Sequence, residues 1–90
     1  MKQYVIKVYG RVQGVGFRYF TERIAKQYRI VGTVANVNDY VEVHAQGDVD
    51  ELESFIKSVT NGASPASSVS RYTIDEEAVN HTFKNFRAIS

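Results

Sequence analysis

The chain has 90 residues, with 11 Lys and Arg against 10 Asp and Glu, and its formal net charge is +1. This length predicts one domain over residues 1–90, and a charge so near zero argues against a dedicated nucleic-acid-binding protein. The sequence has no cysteine, which excludes disulfides, zinc–thiolate sites and a thiol nucleophile. No apolar run approaches the roughly 20 residues of a membrane span, and the first residues lack the apolar core of a signal peptide. We therefore expect a cytoplasmic enzyme or binding module.

The first predicted elements are a strand and an amphipathic helix. Residues 3–10, "QYVIKVYG", alternate with a period of two, which predicts a strand. Further along, large apolar residues recur every three or four positions, which predicts one face of a helix of about three turns. These residues are Phe17, Phe20, Ile24 and Tyr28. On this assignment Thr21 falls on the polar side of the helix.

A hairpin and a second helix follow. Residues 29–36 are rich in β-formers and residues 40–47 alternate, so both predict strands, joined by a turn at "VND". Asp48 followed by Glu51 resembles a capping box and opens a second helix. Asn61-Gly62 is typical of a helix end at which one residue takes the left-handed conformation, and it predicts where that helix stops.

The remaining chain completes an alternating order of elements. Residues 69–74, "VSRYTI", predict a fourth strand, and a last strand is indicated within residues 82–89. Two β-α-β units joined by a hairpin usually form a four-stranded antiparallel sheet with both helices on one face. The sequence therefore predicts an α+β sandwich of order β-α-β-β-α-β.

The segment between the first strand and the first helix, "GRVQGVGFR", combines glycine with positive charge. Gly14 and Gly16 can take positive φ at no steric cost, and alternating handedness there can turn successive N–H groups inward as an anion-binding nest. Arg18 lies in the first helical turn, where the helix dipole disfavours a cation by ~0.3–1 kcal/mol. A bound anion would offset that cost, and the guanidinium fork suits phosphate oxygens. The alternative is a plain turn with an exposed arginine.

Other phosphate-binding motifs do not match this segment. Tyr19 occupies the third glycine position of GxGxxG, and GxxxxGK[ST] is absent. The loop contains no Asp, Cys or His that could become phosphorylated. If the protein is a phosphatase, we therefore expect water to attack the phosphorus atom directly.

Two motifs resemble those of the acylphosphatase family. The stretch "VYGRVQGVGFR", from Val8 to Arg18, resembles the family signature, and "GTVAN", from Gly32 to Asn36, resembles its second motif. The element order also matches the ferredoxin-like fold of that family. The resemblance implies hydrolysis of the carboxyl–phosphate bond of a small-molecule acyl phosphate, with inorganic phosphate as product and inhibitor. We expect a monomer that needs no metal or other cofactor and binds neither nucleic acid nor membranes.

The resemblance also implies the roles of individual residues. Arg18 would bind the substrate phosphate, and Asn36 would position the attacking water. The backbone amides that would join Arg18 at the phosphate belong to Gln13, Gly14, Val15, Gly16, Phe17 and Arg18. Two features depart from the family pattern: Thr33 stands where an aromatic residue is usual, and the hairpin after Asn36 is short and lacks a glycine. We expect Thr33 to alter the pocket for the acyl group.

Two other functions share this fold prediction. An RNA-binding module has the same element order, but its third strand should carry stacking aromatics, and the predicted third strand offers only Tyr40. A non-catalytic anion-binding module would keep the glycine loop and Arg18 but would not need Asn36. Activity after replacement of Asn36 separates an enzyme from such a module.

Overall fold

Within residues 1–89, which the computed structural model describes, the chain forms five strands and two helices. In chain order they are β1 (Lys2–Arg11), α1 (Phe17–Gln27), β2 (Val31–Val37), β3 (Tyr40–Gly47), α2 (Val49–Thr60), β4 (Ser68–Glu77) and β5 (Phe86–Ile89). Both helices pack on one face of the sheet, as the sequence predicts. In the described part of the chain, neither helix is long and apolar enough to cross a membrane.

The sheet has the strand order β4-β1-β3-β2-β5, so the prediction of four strands is one strand short. The first four strands in this order pair antiparallel as expected, whereas β5 pairs in parallel with β2. Phe86 anchors β5, because its side chain is buried and its ring lies 5.8 Å from that of Phe55 on α2. The fifth strand thereby covers the edge of β2.

The core lies between the sheet and the two helices. Alternate residues of the three central strands point towards the helices, because successive strand residues face opposite sides of a sheet. The fully buried strand residues are Ile6, Val8, Val34, Val41, Val43 and Ala45, and α2 contributes Leu52, Phe55 and Val59. Burying one such valine, leucine, isoleucine or phenylalanine side chain stabilises the fold by about 1.5–3 kcal/mol.

The buried face of α1 differs from the predicted one. Thr21 and Ala25 are fully buried, as is Phe17, whereas Phe20 is only half-buried. The assignment of Thr21 to the polar side was therefore wrong. Small side chains let the helix axis approach the sheet closely, so the larger Phe20 lies at the margin of the contact.

The sequence predicts the ends of α2 correctly only in part. Asp48 is the N-cap residue of α2, but its side chain makes no capping hydrogen bond, so the capping-box prediction was wrong. Gly62 follows the end of α2 with φ of 102°, as predicted. The β2–β3 hairpin has a two-residue loop, because Val37 pairs with Tyr40, and Asn38 takes a left-handed φ of 54°.

The sheet face turned away from the helices carries a histidine between two carboxylates. His44 places Nδ1 2.6 Å from Oε1 of Glu77 and Nε2 3.0 Å from Oε1 of Glu42. Burial lowers the pKa of His44, but the two hydrogen bonds and the two carboxylate charges outweigh it and raise the pKa above its usual value. Burial raises the pKa of Glu77, but hydrogen bonds from Gln3 and His44 outweigh it and lower the pKa. The geometry therefore favours a protonated imidazole that donates from both ring nitrogens.

We expect this histidine to make stability depend on pH. A histidine whose pKa is higher in the folded protein than in the unfolded chain stabilises the fold. The stabilisation is complete at pH values below the unfolded-state pKa and disappears as the pH rises through the folded-state pKa. Because the groups are partly exposed, the effect should be at most about 1 kcal/mol. Urea unfolding of wild type and His44→Gln between about pH 5.5 and 8.5 measures it. The difference in free energy of unfolding between wild type and His44→Gln should decrease as the pH rises. A difference that stays constant over this range would contradict the interpretation.

Candidate active site

The loop between β1 and α1 has the alternating backbone that its glycines allow. Gly14 has φ of 72° and Gly16 has φ of 79°, whereas Val15 between them is not left-handed. A Cβ atom at Gly14 would meet nothing within 4 Å, and one at Gly16 would make ordinary contact with the Phe20 ring. Both positions therefore need glycine for its backbone conformation rather than for space, since a left-handed φ costs other residues roughly 1–2 kcal/mol.

The start of α1 is positively polarised. Gly16 is the N-cap residue without a side-chain cap, and the first turn contains no acidic residue. The first hydrogen bond at this end runs from the Phe20 N–H to the Gly16 carbonyl, 3.1 Å apart. Within the described residues, the amides from Gln13 to Tyr19 donate to no acceptor of the chain. Unpaired N–H groups and the helix dipole together favour an anion at this place.

A cavity of about 320 Å³ opens at the start of α1 and brings the two principal predicted residues together. Arg18 and Asn36, 18 positions apart in the sequence, both line it. Of the predicted phosphate-binding residues, Gly14, Gly16 and Phe17 also line this cavity, whereas Gln13 and Val15 do not. Val15 instead packs against the core. The cavity therefore brings together residues of the glycine loop, the guanidinium of Arg18 and the side-chain amide of Asn36.

Asn36 reaches the cavity from β2. It pairs with Val41 of β3, and it lies two residues after the fully buried Val34, hence on the helix side of the sheet. Its Oδ1 atom is buried and has no hydrogen-bond partner among the described residues. A buried acceptor without a partner is uncommon and destabilising. Within the described residues this oxygen is therefore not committed to any other group, and Asn36 lines the cavity.

The end of β5 holds Arg18 in place. Nη1 of Arg18 donates to the Ile89 carbonyl at 3.2 Å, and Oε2 of Glu22, one helical turn later, accepts from the Ala88 N–H at 2.9 Å. Because a guanidinium has five N–H donors, one bond to Ile89 leaves the others available for a ligand. Lys26 lies 3.8 Å from Oε1 of Glu22, which offsets that carboxylate's charge beside the cavity.

Several of these site residues were missed in the sequence. Val12, Tyr19, Glu22 and Ala88 line the cavity, and none of them was predicted to. The spacing of Arg18 and Glu22, four residues apart on one helix face, was the available signal for Glu22. Ala88 carried no such signal, because its place depends on the parallel pairing of β5.

Thr33 does not lie in this cavity. It points away from the helices, paired with His44 of β3 and Arg87 of β5, and it lines a separate pocket with Lys84. Residues 33 and 36 are three apart on one strand and so face opposite sides of the sheet. Thr33 and Asn36 therefore lie on opposite faces of the sheet, and an effect of Thr33 on the acyl group stays a prediction.

Comparison with known proteins identifies the family of the chain. The family model described as "Acylphosphatase" matches residues 4–88. Proteins named acylphosphatase from Staphylococcus haemolyticus and Staphylococcus aureus (strain Newman) are 54% and 55% identical over 89 residues, covering 99% of this chain and 100% of theirs. The crystal structure of acylphosphatase from Bacillus subtilis superimposes with a TM-score of 0.93 at 41% identity, over the whole of both chains. The chain belongs to the acylphosphatase family, hydrolases that act on acyl phosphates.

Proposed function

We propose that the cavity at the start of α1 binds the phosphoryl group of an acyl phosphate and that a water molecule held by Asn36 attacks it. The phosphate oxygens accept hydrogen bonds from the amides of residues 13–18 and from the guanidinium of Arg18. The glycine φ angles, the unpaired amides and the absence of acidic residues from the first turn of α1 support this assignment.

The proposed reaction is a single displacement at phosphorus. The water oxygen forms a bond to phosphorus while the bond from phosphorus to the acyl oxygen breaks, and the carboxylate leaves with the electron pair. The proton of the water passes to the phosphate product or to solvent. Phosphoryl transfer has a loose transition state, so positioning and charge stabilisation supply most of the catalysis. A carboxylate is a stable anion and leaves without a general acid.

The observation that carries the proposal is the unpartnered Oδ1 atom of Asn36 in the same cavity as Arg18. An amide oxygen accepts a hydrogen bond from water, and the amide nitrogen can donate one. Such a group orients water but is too weak a base to deprotonate it. The chemistry therefore needs the water in line with the leaving group, and Asn36 lines the same cavity from β2.

The alternatives make different demands on the same residues. A non-catalytic anion-binding module would not need a free acceptor at Asn36, and an RNA-binding module would need a stacking surface rather than the glycine loop. We propose that the protein acts on small molecules as a cytoplasmic monomer that binds neither nucleic acid nor membranes.

The first test is hydrolysis of benzoyl phosphate by the purified protein without added metal. We expect turnover that inorganic phosphate inhibits competitively. Phosphate should also raise the unfolding temperature, because it binds only the folded loop, with about 2.7 kcal/mol of stabilisation at 100 times its dissociation constant. Sodium chloride at equal ionic strength is the control. No hydrolysis, or an equal shift with chloride, would contradict the proposal.

A further inference from the structure

We infer that the side chain of Gln13 is a positioning residue, which ties the phosphate loop to the hairpin that carries Asn36. This inference rests on the proposed function and adds a residue to it. From the sequence, Gln13 is expected to contribute only its backbone amide at the phosphate, whereas its side chain hydrogen-bonds to the β2–β3 hairpin.

The contact uses both hydrogens of one amide group. Nε2 of Gln13 donates to the carbonyl of Asn38 at 3.0 Å and to the carbonyl of Tyr40 at 2.9 Å. A glutamine NH₂ has two donors, so this group is fully used. The two acceptors lie 25 and 27 residues further along the chain, and Gln13 is half-buried between the loop and the hairpin.

The two halves of the cavity come from these two segments. The loop and the start of α1 supply Gly14, Gly16 and Arg18, and β2 supplies Asn36 just before the hairpin turn. Both side-chain hydrogen bonds described between the loop and the hairpin come from Gln13. The distance between bound phosphate and the water held by Asn36 therefore depends on this contact.

The Gln13 contact holds both sides of the hairpin turn. The loop has two residues, and Asn38 takes a left-handed φ of 54° there, a conformation that asparagine tolerates. The Gln13 amide fixes the carbonyl of Asn38 and, across the turn, that of Tyr40. A displacement of about 1 Å in a reacting group can lower the rate about 10²-fold. A small movement of this turn would also move Asn36 and would therefore lower the rate.

The test is Gln13→Met, which keeps the length of the side chain and removes both donors. We expect kcat for benzoyl phosphate to fall by about 10-fold or more, because the water is misplaced. The phosphate inhibition constant should change by no more than about twofold, because the loop amides and Arg18 are retained. Gln27→Met, an exposed change on α1, is the matched control and should leave both quantities unchanged.

A double-mutant cycle separates positioning from general damage to the fold. In the Asn36→Ala background, Gln13→Met should have no further effect on kcat, because the residue acts through Asn36. Gln13→Glu, which replaces the donor with a carboxylate facing two carbonyls, should lower kcat at least as much as Gln13→Met. Additive losses in the cycle, or wild-type kcat in Gln13→Glu, would overturn the inference.

Hydrogen exchange gives a reading that does not depend on activity. Gln13→Met should speed amide exchange at residues 38–41 and leave exchange in the β1–β4 pair unchanged. Unaltered exchange in the hairpin would overturn the inference even if kcat fell. If the wild type hydrolyses no acyl phosphate, the proposed function fails, whereas the exchange experiment still decides whether Gln13 holds the hairpin.

Discussion

Replacing Arg18 with alanine should lower kcat/KM for benzoyl phosphate by at least about 10²–10³-fold. The guanidinium lies in the first turn of α1, in the cavity that also contains the unpaired loop amides and Asn36. Negative charge on the phosphoryl oxygens must be held in place throughout the displacement, and Arg18 is the cationic side chain that lines this cavity. The inhibition constant for phosphate should rise as well, because the same contact binds the product.

Two further variants show whether geometry or charge matters at this position. Arg18→Lys keeps the charge but loses the planar fork and the geometry of its bond to Ile89, so we expect it to recover only part of the loss. Arg23→Ala removes an exposed cation from the same helix, next to the Tyr19 ring, and should leave kcat/KM unchanged. Full activity in Arg18→Ala would exclude the proposed role of the residue.

Local patterns were sufficient for most of the secondary structure. The third strand was predicted over residues 40–47 and is found there, because strict alternation reflects one buried and one open face. The faces of α1 were harder to predict, because the large apolar residues suggested a stripe through Phe20. In the structure, Thr21 and Ala25 contact the core, and their small size permits the close packing.

Contacts between distant parts of the chain were beyond prediction from local patterns. β5 has four residues and pairs in parallel with β2, so neither its length nor its partner follows from the residues around it. The hydrogen bonds from Gln13 to the hairpin and from the Ala88 N–H to Glu22 join segments 25 to 66 residues apart. Each depends on the assembled sheet rather than on spacing within one element.

The candidate site was predictable from the sequence at the glycine loop, where the residue types themselves indicate anion binding. Gly14, Gly16 and Arg18 indicated an anion site from their residue types alone, and the resemblance to the acylphosphatase family added Asn36. The placement of Thr33 and Asn36 on opposite faces was also predictable, because strand residues three apart face opposite sides of a sheet. The roles of Arg18 and Asn36 in binding and water positioning stay predictions that the variants test.

Asn36→Ala should separate activity from stability. We expect kcat for benzoyl phosphate to fall by about 10²–10³-fold, a loss typical of removing one preorganised polar group. The phosphate inhibition constant should stay within about twofold of wild type, because the loop amides and Arg18 still bind the phosphoryl group. A protein that binds phosphate normally but turns over slowly is the expected result for a residue that holds water.

The same variant should be at least as stable as the wild type. Oδ1 of Asn36 has no partner among the described residues, so replacing Asn36 removes no side-chain hydrogen bond of this oxygen within the described protein. Alanine removes that oxygen without leaving a described protein group unpaired by its loss, so urea unfolding should give an equal or higher free energy of unfolding. Active sites often keep polar groups that reduce stability because function needs them. A marked loss of stability, with kcat falling only in proportion to the fraction unfolded, would show that Asn36 supports the strand rather than the reaction.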